Sequence, residues 1–461
     1  MKKQCFNPYL PSWEYIPDGE PYVFNGRVYV YGSHDHFNGW VFCLNDYVCW
    51  SAPQDDLSDW RYEGVIFKKT DDPLNRDGRM CLYAPDVTAG PDGRYYLYYV
   101  LDKVSVVSVA VCDSPAGTYE FYGYVRYPDG TRLGERQGDE PQFDPGVLTE
   151  GDITYLYTGF GGINDQSRTG AMATVLEPDM LTIREGPVFI APASCHGKGT
   201  SFEGHEFFEA SSIRKHGDTY YFVYSSIAMN ELCYATSKHP LKDFTYGGVI
   251  VSNCDLNIDS YKPADKRVYP AGNNHGSIVD INGRWYIFYH RQTNGTWFSR
   301  QGCMEAIEIK NDGSIPQVEM TSLGGNGKPL DGRGEYPAYI ACNLFSDTEA
   351  AGQPARITQD GRDGDEEAGY IAGITDSTVI GFKYFDCAKI DTLRITIRGY
   401  CHGVFELRTS LEGAALGAIT VESANIWTAF SAPIAIPDGT HALYFKYRGT
   451  GNPSLASFAL G

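Results

Sequence analysis

The sequence lacks several features that would assign it to a common class of protein. In 461 residues, no apolar run approaches the roughly 20 residues of a membrane span. The twelve cysteines are scattered, with no Cys-x-x-Cys pair and no even spacing, which favours reduced thiols that mostly serve packing. A convincing helical period is absent from the first 320 residues. These absences point to an all-β protein without a metal-thiolate motif or a membrane span.

Basic residues are also scarce, because 38 Lys and Arg stand against 58 Asp and Glu, for a formal net charge of −20. Such a surface repels phosphate backbones and anionic lipids, so we expect neither a nucleic acid nor a membrane as partner. A neutral glycan is the easier ligand. The first residues, MKKQCFNPYLPSW, have no apolar segment of the kind found in signal peptides. With scattered, unpaired cysteines, this favours a reducing, cytoplasmic location.

A repeat organises the first 322 residues. A turn, an aromatic-rich strand and a second strand recur five times. The five copies are PDGEPYVFNGRVYVYGS, APDVTAGPDGRYYLYYV, FDPGVLTEGDITYLYTG, FEASSIRKHGDTYYFVYS and NHGSIVDINGRWYIFYH. Further strands follow each copy, which gives units of about four strands. Repeated four-stranded units are typical of a β-propeller, so residues 1–322 are predicted to form five blades.

The repeat places one polar residue at the same position in every unit, where the first strand of a blade meets the central axis. These residues are Asp18, Asp86, Asp144, Glu209 and His275. Clustered carboxyl groups shift one another's pKa values, so that one keeps its proton while another stays ionised. Such a pair is the equipment of glycoside hydrolysis. The alternative for each acid is a hydrogen bond within its own blade, and Asp86 fits that alternative best.

Two histidines in GSHDHF, His34 and His36, resemble a metal motif. One His-x-His without a second group of ligands is more often a strand end with solvated imidazoles, so we assign no metal there. His275, at the axial position, has the better claim. Glu20 lies outside the register of the repeat, and we interpret it as a neighbour that supports Asp18 or as a residue of the rim.

The motifs around three of the acids resemble those of glycoside hydrolase family 43, whose members are five-bladed propellers that hydrolyse arabinose and xylose linkages with inversion. The resemblance rests on Ile16-Pro17-Asp18-Gly19, on Phe143-Asp144-Pro145, and on Glu209-Ala210 followed by KHGDTYY. It implies that Asp18 is the general base, that Asp144 orients the acid and tunes its pKa, and that Glu209 is the general acid. Glu203 and Glu206 lie close enough in sequence to compete with Glu209.

The same resemblance implies further contacts with a sugar. NHGSIV matches the segment whose histidine lies at the bottom of the family's pocket, often near calcium or its waters, so His275 is a candidate for substrate and for calcium. Arg300 matches the arginine that holds the terminal sugar, and Asp86 is assigned to substrate binding with it. Tyr83 stands where the family commonly has tryptophan, which keeps an aromatic side chain in place.

A glycine-rich and proline-rich stretch separates a second domain from the propeller. Residues 323–340 are predicted to be a linker, and residues 341–461 a β-sandwich of jelly-roll type with short alternating strands. This part resembles a carbohydrate-binding module of family 6, most clearly around Trp427. Its last segment, NPSLASFALG, lacks the sugar-binding asparagine and calcium-binding aspartate in register. We therefore expect it to brace the propeller or shape its rim rather than bind sugar independently.

The leading hypothesis is an inverting exo-glycosidase that releases terminal α-L-arabinofuranose from oligosaccharides derived from arabinoxylan. The alternative is a β-D-xylosidase of the same architecture, because pocket shape decides between the two sugars. A catalytically inactive, sugar-binding propeller is a third reading, since a fold alone does not establish function. A phosphorylase would need a phosphate site, for which Arg300 and Arg291 are the candidates. The sequence does not indicate an oligomeric state.

Overall fold

A computed structural model describes residues 5–346 and 354–461 of the chain. Strands dominate it, and the helices of the described residues are five 3-10 turns of three residues each. No helix in these two ranges is long and apolar enough to cross a membrane. The predicted fold class is confirmed, since a five-bladed β-propeller precedes a second, β-sheet domain.

Each of the first four blades is an antiparallel sheet of four strands in chain order. Blade one contains β1 (Glu20–Phe24), β2 (Arg27–Tyr31), β3 (Tyr47–Pro53) and β4 (Arg61–Phe67). Blade two contains β5 (Asp86–Ala89), β6 (Tyr95–Tyr99), β7 (Ser108–Cys112) and β8 (Glu120–Tyr124). Blade three contains β9 (Gly146–Glu150), β10 (Ile153–Thr158), β11 (Gly170–Leu176) and β12 (Ile183–Pro192). Blade four contains β13 (Phe207–His216), β14 (Thr219–Ser226), β15 (Glu231–Ser237) and β16 (Thr245–Ser252).

The second strand of each blade is buried on both faces because a neighbouring blade covers each face. In β2, Val28 and Val30 pack in one apolar cluster with Phe288 of the fifth blade. Tyr29 and Tyr31 point the other way, into a cluster with residues of the second blade. Alternate side chains of one strand thus reach opposite neighbours, as the two-residue period of a strand requires. The aromatic-rich runs of the repeat therefore fill the space between neighbouring blades.

The fifth blade differs from the prediction of four strands in each unit. It has three, namely β17 (Ile278–Ile281), β18 (Arg284–Gln292) and β19 (Arg300–Ile307). An early segment of the chain, residues 5–10, runs along the free edge of β19. There the Tyr9 N–H donates to the Gly302 carbonyl at 3.3 Å, and the Met304 N–H donates to the Asn7 side chain at 2.9 Å. This segment closes the ring and occupies the place of the missing strand.

The second domain is one curled sheet of ten strands. They are β20 (Leu330–Asp331), β21 (Gly334–Pro337), β22 (Asn343–Ser346), β23 (Arg356–Thr358), β24 (Tyr370–Ala372), β25 (Thr378–Cys387), β26 (Ile390–Arg408), β27 (Gly417–Ile436), β28 (Gly439–Gly451) and β29 (Ser454–Leu460). The long strand β26 pairs with β29 through its first half and with β28 through its second half. Its register shifts around Gly399, whose φ is +115°. Such an irregularity bends a strand and lets one sheet curl around its own core.

The two domains are joined more closely than a linker would allow. Within the stretch predicted to be a linker, residues 323–340, β20 pairs with β25 and β21 pairs with β29. One apolar cluster extends from Tyr289 and Cys303 of the propeller to Phe382 of the second sheet. The fully buried Lys383 ammonium lies 3.0 Å from Asp255 and 3.0 Å from Glu319 of the propeller side. The second domain therefore packs on the propeller as part of one structure.

Asn7→Ala should destabilise the protein because Asn7 helps to close the ring of blades. The Asn7 side chain donates to the carbonyls of Met304 and Thr321 at 3.0 Å each and accepts the Met304 N–H. Its loss leaves those buried groups without partners, which costs about 2–4 kcal/mol of unfolding free energy. Urea unfolding of the full chain measures the loss, with Asn311→Ala at an exposed position as the control. Equal midpoints for the two variants would show that this contact does not hold the ring.

Candidate active site

Four of the five residues at the repeat position meet in one cavity of about 350 Å³ at the propeller axis. Asp18, Asp144, Glu209 and His275 line it together with Arg300. The remaining lining residues are mostly apolar: Phe42, Cys43, Tyr83, Ala84, Phe143, Phe160, Phe208 and Asn273. Charged groups therefore lie at the bottom of a pocket with aromatic walls, which is the usual composition of a small-ligand site.

Local backbone geometry aims the three acids at this cavity. Asp18 and Asp144 each stand two residues before the first strand of a blade and adopt left-handed conformations, with φ of +57° and +40°. Glu209 lies on β13 between two register shifts, and the next residue, Ala210, has φ of +69°. An alanine in that conformation is strained, and a bulged strand turns its side chains away from the regular direction. The Ala210 N–H donates to the Asp144 carboxyl at 3.2 Å, which places Asp144 beside Glu209.

Asp18 is held in its ionised form. Burial disfavours its charge, but the Arg300 guanidinium, whose Nη1 lies 2.9 Å from Asp18 Oδ1, outweighs the burial together with His290 and His275. Hydrogen bonding by His290, whose Nδ1 lies 3.3 Å from Asp18 Oδ1, acts in the same direction. The pKa of Asp18 therefore lies well below its usual range. A carboxylate that is ionised across the whole neutral range can accept a proton from water.

Glu209 has the opposite character. Burial, followed by the negative charge of Asp18, raises its pKa from 4.5 to about 8, although Arg300 partly offsets both. It is therefore mostly protonated at pH 7. A carboxyl group that carries its proton at neutral pH can donate it to a leaving oxygen.

Asp144 and His275 complete the bottom of the pocket. The Asp144 carboxyl lies 3.5 Å from His275 Nδ1. Burial and the charges of Glu209 and Asp18 raise the pKa of Asp144 well above its ordinary value. Burial lowers the pKa of His275 to about 4, so its imidazole is neutral at pH 7. Both groups can then exchange hydrogen bonds with a neutral ligand without adding charge to the site.

Asp35 is a residue of this site that the sequence analysis missed. Its carboxylate accepts two hydrogen bonds from the Arg300 guanidinium, at 2.9 and 3.0 Å, and one from the Arg300 N–H at 3.0 Å. It therefore fixes the arginine that holds Asp18. Asp35 lies between the two histidines of GSHDHF. The sequence offered no periodic signal for it, because it stands alone in a loop after β2.

The histidines of that motif have structural roles. His34 Nε2 lies 3.0 Å from a Glu14 carboxylate oxygen, and its Nδ1 lies 2.9 Å from the Asp46 carbonyl oxygen. His36 Nδ1 lies 2.7 Å from the Phe37 carbonyl oxygen. Both rings are thus held by oxygen atoms of neighbouring residues. The expectation of solvated imidazoles is wrong for His34, whose side chain is only 16% exposed.

The assignment of Asp86 to substrate binding does not fit the structure. Asp86 is fully buried and does not line the cavity. Its carboxylate accepts hydrogen bonds from the Tyr22 hydroxyl and from the Val147 N–H, both at 2.7 Å. The physical reason is the position of Asp86 relative to the start of its strand. Asp86 is the first residue of β5, whereas Ala84, two residues earlier as Asp18 is to β1, is the one that reaches the pocket.

Glu20, the first residue of β1, matches Asp86 in register, and after burial its negative charge helps to raise the pKa of Asp86. Arg214 donates to Glu20 at 2.6 Å and stacks its guanidinium over the Tyr22 ring at 4.2 Å. Glu20, Tyr22, Asp86 and Arg214 thus form a second cluster of polar residues, which links blades one, two and four by hydrogen bonds. Glu20 therefore supports the fold and does not line the pocket.

Three further candidates from the sequence lie outside the cavity. Glu203 is exposed and accepts the Gly199 N–H, and Glu206 accepts the Gly204 N–H, which leaves Glu209 as the glutamate of the pocket. The Arg291 guanidinium donates to the carbonyls of Ala341 at 2.8 Å and Tyr339 at 2.6 Å. Arg291 therefore holds the second domain and is not a phosphate ligand.

A buried pocket with one ionised and one protonated carboxyl group, both at the axis of a β-propeller, is the arrangement of a glycoside hydrolase. Comparisons with known proteins identify the family. The family model for glycosyl hydrolases family 43 matches residues 17–315, more than half of the chain. The chain belongs to glycosyl hydrolase family 43 and is a glycoside hydrolase, as the resemblance predicted.

The most informative relatives cover one or both domains. A xylosidase/arabinosidase of Thermoclostridium stercorarium is 73% identical over 470 residues, covering 100% of this chain and 99% of the relative. The solved arabinoxylan arabinofuranohydrolase of Bacillus subtilis, in complex with cellotetraose, covers 98% of this chain and 97% of its own at 22% identity and a TM-score of 0.54. A β-xylosidase/α-arabinofuranosidase from a compost metagenome, in complex with xylotriose in a calcium-free form, covers 67% and 96% at 27% identity and a TM-score of 0.52.

The ionisation of Glu209 should depend on Asp18. In protein labelled with ¹³C at glutamate side chains, the signal that Glu209→Gln removes should titrate near pH 8. Asp18→Asn removes the negative charge that raises the pKa of Glu209, so the signal should then titrate at lower pH. Glu203→Gln, at an exposed position, should leave it unchanged. An unaltered titration in Asp18→Asn would show that burial alone sets the pKa of Glu209.

Proposed function

We propose that the protein is an inverting exo-glycosidase that releases single terminal pentoses from oligosaccharides derived from arabinoxylan. The observation that carries this proposal is the opposite ionisation of Asp18 and Glu209 within one pocket. The pKa of Asp18 is held low by Arg300, while that of Glu209 is raised to about 8. A catalytically inactive, sugar-binding propeller would not need two carboxyl groups with such different proton affinities.

In the proposed mechanism, Asp18 accepts a proton from a water that attacks the anomeric carbon, while Glu209 donates its proton to the departing glycosidic oxygen. The C–O bond to the leaving group breaks as the bond to water forms, so the configuration inverts. The two carboxyl groups of an inverting pair stand roughly 6.5–9.5 Å apart to leave room for that water. Asp144, held beside Glu209 by the Ala210 N–H, keeps the acid in place, and Arg300 binds the terminal sugar as well as Asp18.

The pocket supports exo action. Its volume of about 350 Å³ lies at the low end of small-ligand sites, and Tyr83, Phe160 and Phe208 are among its walls. Two exposed tryptophans are near aromatic residues of this region in the sequence. Trp40 precedes Phe42, a residue of the pocket wall, by two positions, and Trp297 precedes Phe298 by one. Phe42 and Phe298 pack against each other with ring centroids 4.8 Å apart. We propose that the tryptophans carry the part of the oligosaccharide that remains outside.

Terminal α-L-arabinofuranose is the substrate that we put first, and β-D-xylose the alternative. The T. stercorarium relative is described with both activities. The solved structure that shares both domains is described as an arabinoxylan arabinofuranohydrolase. A phosphorylase finds less support, because Arg291 is committed to carbonyl groups at the domain interface.

Turnover of the two p-nitrophenyl glycosides, α-L-arabinofuranoside and β-D-xylopyranoside, tests the proposal directly. We expect hydrolysis of the arabinofuranoside with the higher kcat/KM, and a decline in activity above about pH 8 as Glu209 loses its proton. Proton NMR of the first-formed sugar should show the inverted anomer. A retained anomer would rule out the mechanism, and preference for the xyloside would select the alternative.

A leaving-group comparison assigns the acid. Glu209→Gln should lower kcat about 10²–10⁴-fold on an arabinoxylan oligosaccharide, whose leaving oxygen needs a proton. It should cost much less on the 2,4-dinitrophenyl glycoside, whose leaving group departs without one. Glu203→Gln, at an exposed glutamate nearby, should behave as wild type on both substrates. Equal losses on the two substrates for Glu209→Gln would contradict the role of Glu209 as acid.

We further propose that a hydrated calcium ion binds near His275. Asn274 Oδ1 is buried without a hydrogen-bond partner in the described ranges, and it can accept a hydrogen bond from a water of such an ion. Within those ranges, the group of His, Cys, Asp or Glu side chains close enough to share a metal directly is His205, Glu231 and Cys233, which does not include His275. A calcium ion bound there would supply positive charge to the site.

Thermal unfolding tests the calcium proposal without relying on activity. Calcium chloride should raise the unfolding midpoint of chelator-treated protein by several degrees, and magnesium chloride at the same concentration should raise it less. Asn274→Ala should reduce the calcium effect. Equal midpoints with chelator and with calcium would contradict the site.

A further inference from the structure

One loop of the second domain reaches the pocket side of the propeller. Residues 359–365 follow the strand β23 and are mostly exposed after Gln359. Asp363 is an exception, because its side chain is only 21% exposed and points into the first blade. There its Oδ1 accepts the Phe37 N–H at 2.6 Å, and its Oδ2 accepts the Asn45 amide at 3.0 Å.

These two partners lie in the loop between β2 and β3, which also carries Asp35, Phe42 and Cys43. The Asn45 amide that donates to Asp363 also donates to the Asp35 carbonyl oxygen at 3.1 Å. Within the loop, the Cys43 N–H donates to the Asp35 carboxylate at 3.0 Å. A single residue, Asn45, therefore links Asp363 by hydrogen bonds to Asp35, the aspartate that fixes the Arg300 guanidinium. The loop also supplies Phe42 and Cys43 to the pocket wall.

The same part of the second domain also holds the loop that leads into Arg300. The Asn294 N–H donates to the Ile357 carbonyl at 2.6 Å, and the Thr358 hydroxyl donates to Asn294 Oδ1 at 2.8 Å. The Asn294 amide in turn donates to Asn38 Oδ1 at 2.6 Å, which joins this loop to the first one. Residues 357–363 therefore contact both of the loops that flank the Asp35 and Arg300 pair.

We propose that Asp363 is a positioning residue for catalysis, through which the second domain holds the loop of residues 35–45 so that Asp35 keeps Arg300 in contact with Asp18. This role rests on the proposed function of the pocket. It gives a functional consequence to the contacts between the second domain and the propeller. The domain then completes the active site from outside, and no sugar has to bind to it.

Asp363→Ala tests the role against a matched control, Asp360→Ala. Asp360 lies three residues earlier in the same loop, but its carboxylate pairs with Arg398 and Tyr370 inside the second domain. On the preferred aryl glycoside, Asp363→Ala should lower kcat about 10–100-fold and raise KM less than threefold, because misplaced catalytic groups slow the chemical step. Asp360→Ala should retain wild-type kcat. Asp363→Asn keeps one acceptor oxygen for the Phe37 N–H and should recover part of the loss.

Hydrogen–deuterium exchange separates this inference from the proposed function. Backbone amides of residues 35–46 should exchange faster in full-length Asp363→Ala than in wild type or Asp360→Ala. This result needs no turnover, so it is informative even if neither aryl glycoside is hydrolysed and the proposed function fails. Unchanged exchange in residues 35–46, or equal kcat for the two alanine variants, would overturn the positioning role.

Discussion

The buried guanidinium of Arg300 sets the charge state of the whole pocket. It lies between the carboxylates of Asp35 and Asp18, and all three side chains are at most 5% exposed. One positive and two negative charges leave a net negative charge in a space from which water is largely excluded. Burial, together with the negative charge of Asp18, keeps Glu209 and Asp144 protonated, and burial keeps His275 neutral although Asp18 favours its charged form. A general base and a general acid thus follow from one cation beside Asp18 and from the burial of the carboxyl groups around it.

Such an arrangement costs stability and is not expected in a core that serves only packing. Buried ion pairs often contribute less to the free energy of unfolding than well-packed apolar side chains of similar size. The site also holds Asp18, Asp144 and Ala210 in left-handed backbone conformations that the neighbouring structure has to enforce. The closely packed blades and the second domain supply that enforcement. The packing of the scaffold is therefore what keeps the strained backbone of the site in place.

Much of the fold and part of the site could be predicted from the sequence. The five-fold repeat predicted the propeller, and its axial position found Asp18, Asp144, Glu209 and His275, all of which line the cavity. The error at Asp86 came from a shift of two residues, because aligned turn motifs do not fix where a strand begins. In blade two the residue that reaches the pocket is Ala84, which carries no chemical signal. The roles of Asp35 and Asp363 could not be predicted from the sequence for another reason, because they depend on loops that meet only in the folded structure.

The closure of the ring by residues 5–10 places a constraint on how the chain reaches its native state. Asn7 pairs with Met304 and Thr321, partners about 300 positions later in the chain. This segment must therefore wait until the rest of the propeller, which follows it in the chain, has been synthesised. Contacts of such long sequence separation form slowly, and the open edge of β19 is exposed until they do. During biosynthesis the molecule passes through a period in which an incomplete fifth blade is available to other unfinished chains.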